Sequence, residues 1–440
     1  MALSANTVWE VRANGAATNG GGFVSGASGT DYSQQDSAHA TRTDIVIDAT
    51  TDTDITSAAD NFASDDVGNI INITSGTGFT TGRYEIVSVS AGVATLDRAV
   101  GTTGSTGGNG TLGGAMTITD ANFDEIETEN TVWVKADATH TITENINPAI
   151  QTTTGVIRLE GYNTTRGDRP TGTDRPLISC GANSFIVSAQ WTDSHLRLTG
   201  TGTYVFGFTS ARTNVLAYTH VENTSGTSNR DAILCGSSGN VMLAHCELES
   251  TNGNAIDMTS SGPDFTMYGC YIHDSTTGFV TNNNNMCSIN HCIFDTCTTA
   301  IESNADDFIG QITNCTFYNS TTAIDLDQFT GVFMDNVIDS CTSGFEVDSD
   351  APNYFDYNNW SNNTTDVTGV TKGGNATSAS PGFADAAGGD FSPGAGIQAT
   401  SSLGNFPGGL TTGYLDQGAV QHQDSGGGGG GGTIAKFGSF

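Results

Sequence analysis

The sequence predicts an all-β protein whose main part is a parallel β-helix, a solenoid with coils of about 22 residues. Three observations predict it. First, segments of one shape recur. "HCELESTNGNAI" begins at His245, "GCYIHDSTTGF" at Gly269, "HCIFDTCTTAI" at His291, "NCTFYNSTTAI" at Asn314, "DNVIDSCTSGF" at Asp335 and "YNNWSNNTTDV" at Tyr357. Second, these segments are short runs of Ile, Phe, Val and Thr broken by Asn, Gly, Asp and Ser, the composition of strands and turns. Leucine-rich repeats share the period, but residues 245–367 contain only Leu248 and Leu326. Third, the segments align in columns. Leu248, Ile272, Phe294, Phe317, Ile338 and Trp360 form one. Ile256, Phe279, Ile301, Ile324, Phe345 and Val367 form another. Alternate residues of a strand face one side, so both columns read as inward ladders.

Residues 1–115 precede the solenoid and differ from it. The first 44 are irregular and read as an arm laid on a surface. "VGNIINIT", "GRYEIVSVS" and "GVATLDRAV" then read as three short strands with Gly turns, a small β module suited to attachment. The solenoid occupies residues 116–372. It opens on "ITDANFDEIETEN", where Phe123 and Ile126 follow a cap at Thr119 or Asp120 at helical spacing. A short helix there is expected to cover the open end of the coil and its free strand edge. The runs "TVWVKA", "GVIRLEGY", "RPLISC", "SHLRLTG", "NVLAYTHVE" and "DAILCG" read as earlier coils with longer loops. Residues 373–422, rich in Gly and Ala, read as a C-terminal cap. Seven glycines, Gly426 to Gly432, make residues 423–440 a flexible tether. Ile434, Phe437 and Phe440 beyond it read as a peptide that docks on a neighbouring chain.

Charge narrows the function classes. Fourteen basic residues face 47 acidic ones, a formal net charge of -33. That argues against nucleic-acid partners, which need Lys and Arg to displace counterions. No apolar run reaches the roughly 18 residues of a membrane span. The start, "MALSANTVWEVR", has neither a basic segment nor an apolar core, so synthesis in the cytoplasm without a signal peptide is expected.

The stretch "HCIFDTCTTAIE" has the residue types of a metal or catalytic site. The columns supply a plainer reading. Cys246, Cys270, Cys292 and Cys315 stack up the coils and are continued by Asn336 and Asn358. Cysteine is small and readily buried, and the tight spacing of zinc ligands is missing. His245 and His291 lie two coils apart, about 9.6 Å, too far for one ion. Free thiols are expected.

The coil pattern resembles the pectate-lyase-like superfamily of right-handed parallel β-helices over about residues 115–422. "ENTVWVKADATHTITENI" looks like that group's first coil, and "SPGFADAAGGDFSPGAGI" with "LDQGAVQ" like its C-terminal close. "VWEVRANGAATNGGGF", "GTDYSQQD" and "EGYNTTRGDRP" resemble uncharacterised β-helix proteins of tailed phages. The resemblance implies a spike, fibre or head decoration on the virion surface, homotrimeric like other spikes of this fold. Its partners would be other virion proteins, through the N-terminal module and C-terminal tail, and host-surface polysaccharide.

Activity does not follow from the fold. The polygalacturonase set of motifs is not assembled. Pectate lyases need a basic residue beside calcium-binding acids. Between Arg230 and Lys372 there is no Lys or Arg, while 19 Asp and Glu lie between Asp231 and Asp366. No catalytic residue is therefore assigned and no cofactor is expected. Calcium is the one ion that the oxygens of Asp306, Asp307, Asp325 and Asp327 would suit, with Glu302 and Glu346 in adjacent coils. The same acids suit a glycosidase pair, since carboxylates about 5–9.5 Å apart are required. The expected function is thus a non-enzymatic virion structural protein; the alternative is a polysaccharide depolymerase. A secreted adhesin is disfavoured by the missing signal. The Arg166-Gly167-Asp168 triplet reads as a Gly turn rather than an adhesion motif. Arg158, Arg166, Arg169 and Arg175 are expected to pair with Glu160, Asp168 and Asp174.

Overall fold

The computed structural model describes residues 3–148, 155–187, 190–209, 212–236, 239–258, 264–281, 286–349, 352–394, 397 and 417–420, without the side chains of 304–307. The tail residues Ile434, Phe437 and Phe440 lie outside the described residues. The fold is all-β, a parallel β-solenoid preceded by an antiparallel module. Two compact units divide the chain. One holds the described residues to 170 with 174–179 and 190–196; the other holds 171–173, 180–187 and those from 197 on.

In the first unit, the strands Ala40–Ile47, Asp54–Thr56, Ile70–Ser75, Gly82–Ser90, Val93–Leu96 and Thr106–Leu112 close into a six-stranded antiparallel barrel. Its core is Ile45, Ile47, Ile55, Phe62, Ile71, Ile73, Tyr84, Ile86, Ala94, Leu96, Val100 and Leu112. The three strands legible in the sequence form half of it. Closure leaves no free edge in this module.

Within the region read as an arm, Thr7–Val11 is a strand. It pairs in parallel with Thr131–Lys135 and places Val8 beside Thr131 and Val11 beside Val134. Trp9 is fully buried and donates its Nε1–H to Asn130 Oδ1 at 2.9 Å. This strand therefore covers the free edge of Thr131–Lys135, a place the helix was expected to fill. The helix itself is one turn, Asp120–Phe123, and Thr119 is its cap, accepting from the Asn122 amide at 3.2 Å. Phe123 turns inward and stacks 6.2 Å from Trp191.

Arg166 of the arginine cluster also pairs otherwise than expected. Arg166 reaches Glu10 Oε2 at 2.7 Å and Asp31 Oδ2 at 3.0 Å. Asp168 instead accepts the backbone amides of Thr164 at 2.7 Å and Thr165 at 3.1 Å, closing its own turn. Glu10 is buried, and a buried carboxylate draws the nearest available cation.

In the second unit the two apolar columns stand as ladders, each member in register with its neighbour on the next coil. Leu248, Ile272, Phe294, Phe317, Ile338 and Trp360 form one. Ile256, Phe279, Ile301, Ile324, Phe345 and Val367 form the other, and all but Val367 are buried. Rings stack within them, as Phe294 on Phe317 at 5.1 Å. Each buried side chain contributes about 1.5–3 kcal/mol of hydrophobic stabilisation before the entropy of ordering is set against it.

The first residue of every repeat is a corner. His245, Gly269, His291, Asn314, Asp335 and Tyr357 all adopt left-handed backbone, with φ between 53° and 63°. In the five repeats from Gly269 on, a second corner follows the short strand, at Asp274, Thr296, Asn319, Ser340 and Asn362. Asn, Asp and His tolerate this region better than most residues. After each corner the chain turns a small residue inward. The first column is Cys246, Cys270, Cys292, Cys315, Asn336 and Asn358, all buried. The Asn336 amide donates to Asn358 Oδ1 at 3.1 Å, and the Cys315 N–H donates to Asn336 Oδ1 at 2.9 Å. Cys297 and Cys341 belong to a second such column with Ser275 and Ser320. All nine cysteines are buried free thiols.

Candidate functional site

His245 and His291 are corner residues in an aromatic stack. Tyr218 lies on His245 at 4.9 Å, and Tyr268 meets His245 at 5.6 Å and His291 at 5.2 Å. Burial lowers the pKa of both histidines, which keeps them neutral. The "HCIFDTC" stretch is thus architecture, as its columns implied.

The predicted acidic patch is partly in view. Glu302, Asp325 and Glu346 pair in register on adjacent coils and form a carboxylate ladder. Burial, and then the charges of Glu346 and Glu302, raise the Asp325 pKa. Asp327 lies two residues along the same strand, Thr322–Met334. The side chains of Asp306 and Asp307 lie outside the described residues.

A second cluster, which the sequence reading missed, stands on another face. The strands His220–Asn223, Glu247–Ser250 and Tyr271–His273 are consecutive in one parallel sheet. Val221, Leu248 and Ile272 point inward, so their neighbours point out. Register places His220 beside Glu247 and Tyr271, and Glu222 beside Glu249 and His273. Four of these side chains were already visible as the residues flanking Leu248 and Ile272 in the aligned columns. His220 and Glu222 were not, because their coil is longer and its register cannot be read from spacing.

Diagonal contacts tie the cluster together. His220 Nε2 is 3.2 Å from Glu249 Oε1, and its Nδ1 is 3.8 Å from Glu247 Oε2. His273 Nδ1 is 2.9 Å from Asp274 Oδ2 and 3.6 Å from Glu249 Oε2. His273 Nε2 is sealed from solvent without a hydrogen bond, with Glu247 Oε1 at 3.6 Å. Tyr271 stacks on the His273 ring at 4.4 Å and donates to Asp295 Oδ2 at 3.0 Å. Burial disfavours charge on His273, but the nearby carboxylates of Glu247, Asp274 and Glu249 outweigh it and carry its pKa up to about 9. Burial, and then the charge of Glu249, raise the Glu222 pKa.

Two sets of three donors, His220 with Glu222 and Glu249, and Glu249 with His273 and Asp274, place one ligand atom per residue within 4.8 Å of one another. Either set has the residue types that hold a divalent cation. Further along the same sheet the outer face is covered. Phe391 and Ala419 of the C-terminal segment pack on Ile293, flanked by Tyr271, Tyr318 and Phe383. Tyr271 borders this covered stretch.

No protein-family model matches the chain, and no curated protein matches it. Among solved structures it is similar to the crystal structure of pectate lyase Pel9A, with a TM-score of 0.44 and 12% identity over 70% of this chain and 92% of that one.

Proposed function

We propose that the chain is a non-enzymatic structural protein of a phage virion, a surface spike, fibre or head decoration that presents a rigid β-helix, with host-surface polysaccharide as the surface it meets. The observation that carries this reading is the closed barrel of residues 40–112, a module with its own core beside a solenoid filled by stacked side chains. A scaffold with a separate module suits attachment to a larger particle. The phage-like segments "VWEVRANGAATNGGGF" and "EGYNTTRGDRP" point the same way. The net charge of -33 favours solubility over adhesion to anionic glycans, so a neutral or basic polysaccharide is the expected contact. A homotrimer is the expected state, held to other virion proteins through the N-terminal module and C-terminal tail. Mass spectrometry of purified particles tests it: the chain should be present at a fixed high copy number, and its confinement to the soluble lysate would refute the proposal.

A second reading, a polysaccharide depolymerase, is favoured by the Glu302–Asp325–Glu346 ladder. Burial, and then the like charges on adjacent coils, push the Asp325 carboxyl toward the protonated form, the arrangement of an acid beside a base. Release of reducing ends from host capsule, lost in Asp325→Asn, would establish it over the first.

A further inference from the structure

The geometry points to a binding site for one first-row divalent transition metal, of the zinc class, on the open sheet face at His220, Glu222 and Glu249, flanked by His273 and Asp274. The donors match that class. Imidazole nitrogen with carboxylate oxygen suits zinc and its neighbours, whereas calcium takes oxygen alone. The three donor atoms lie within 4.8 Å of one another. A tetrahedral zinc ion with ligands at about 2.0–2.2 Å needs donors roughly 3–3.5 Å apart, so side-chain rotation alone closes the set.

The backbone holds the set still. Glu222 and Glu249 are in-register neighbours, and His220 lies one position back on the same strand as Glu222. Glu247 faces the other ring nitrogen of His220 at 3.8 Å, the place of the outer carboxylate that orients a metal-binding histidine. Two donors are fixed on one strand and one on the next.

Two further observations point to a cation. Glu247, Glu249 and Asp274 lie in the stretch 231–371, which carries no Lys or Arg, and Glu222 stands in register with Glu249, with Arg197 beside His220 as the basic residue in register. His273 Nε2 is sealed from solvent without a hydrogen bond.

The test is independent of the virion reading. The full chain is freed of metal with a chelator and titrated with Zn2+ by calorimetry. Saturable binding of one ion is expected, weakened at least about tenfold in Glu249→Gln and in His220→Gln. Asp52→Asn, at an exposed residue of the barrel module, should bind as the wild type does. Substituted Co2+ should give a visible spectrum of nitrogen and oxygen ligands. Absence of saturable binding overturns the proposal. So does unchanged affinity in both cluster variants, loss of binding in Asp52→Asn, equal competition by Ca2+, or thiolate charge transfer in the Co2+ spectrum. The wild-type cobalt spectrum keeps the test decisive where a variant fails to fold.

Discussion

His220 and Glu249, 29 residues apart in sequence, bring Nε2 and Oε1 to 3.2 Å across neighbouring strands of one sheet. The contact is diagonal, since His220 is in register with Glu247 and Glu222 with Glu249. His273 repeats the relationship from the opposite side, reaching diagonally to Glu247 at 3.6 Å. Each imidazole therefore faces the carboxylate pair of the central strand.

Stability should fall as pH rises through His273's titration. Its pKa is carried to about 9 in the folded chain, against about 6.5 unfolded. The stabilisation is fully present below about pH 6.5 and is lost as pH climbs through about 9. The groups facing it are Glu247, Glu249 and Asp274, with Tyr271 stacked on the ring and Asp295 behind Tyr271. Urea midpoints taken below and above this window should differ more in the wild type than in His273→Gln. An equal difference in the two would contradict the assignment.

The thiols should be silent in the native protein. Burial pushes Cys297 and Cys341 up to about 12, and Cys246, Cys270 and Cys292 well above the ordinary value. The thiolate is the reactive form. A colorimetric thiol reagent at neutral pH should find almost none of the nine cysteines until denaturant is added, and then all of them. Fast reaction of several native thiols would show that the columns are open.

Phe317→Ala should cost about 3–5 kcal/mol, the penalty for removing a large buried aromatic group. Phe317 is fully buried and stacks on Phe294 at 5.1 Å and Phe333 at 6.5 Å. Chemical denaturation measures it. A cost under about 1 kcal/mol would mean the ladder collapses around the gap.

Arg166→Ala should destabilise the chain by about 3 kcal/mol, the lower end of the range for breaking a buried ion pair. Glu10 would stay buried, but Arg12 Nε still holds its Oε1 at 2.8 Å. Thermal unfolding checks it, with Asp168→Asn as comparison. If only the Asp168 substitution destabilises, Arg166 is not what balances Glu10.

At the corner residue Asn314, φ is 53°. Asn314→Gly should be nearly neutral, whereas Asn314→Val should cost about 1–2 kcal/mol because a β-branched residue resists left-handed backbone. Equal stabilities for the two variants would remove the argument for these corners.

The repeat, the two inward ladders, the cysteine–asparagine column and a helix start capped at Thr119 or Asp120 were determined by the sequence itself. Each rests on a pattern that recurs every coil or lies within a few residues of chain, where sterics and periodicity act without help. Three arrangements were decided only by the tertiary structure. Thr7–Val11 joins Thr131–Lys135 in the solenoid, with Trp9 bonded to Asn130 across 121 residues. Six strands close the barrel, and Arg166 turns to Glu10 rather than to Asp168. The His220–Glu222–Glu249 cluster belongs with these. Its members come from coils of unequal length, and spacing cannot give the register between such coils. Hydrogen bonds between neighbouring strands set it, so these side chains meet only once the coils have stacked.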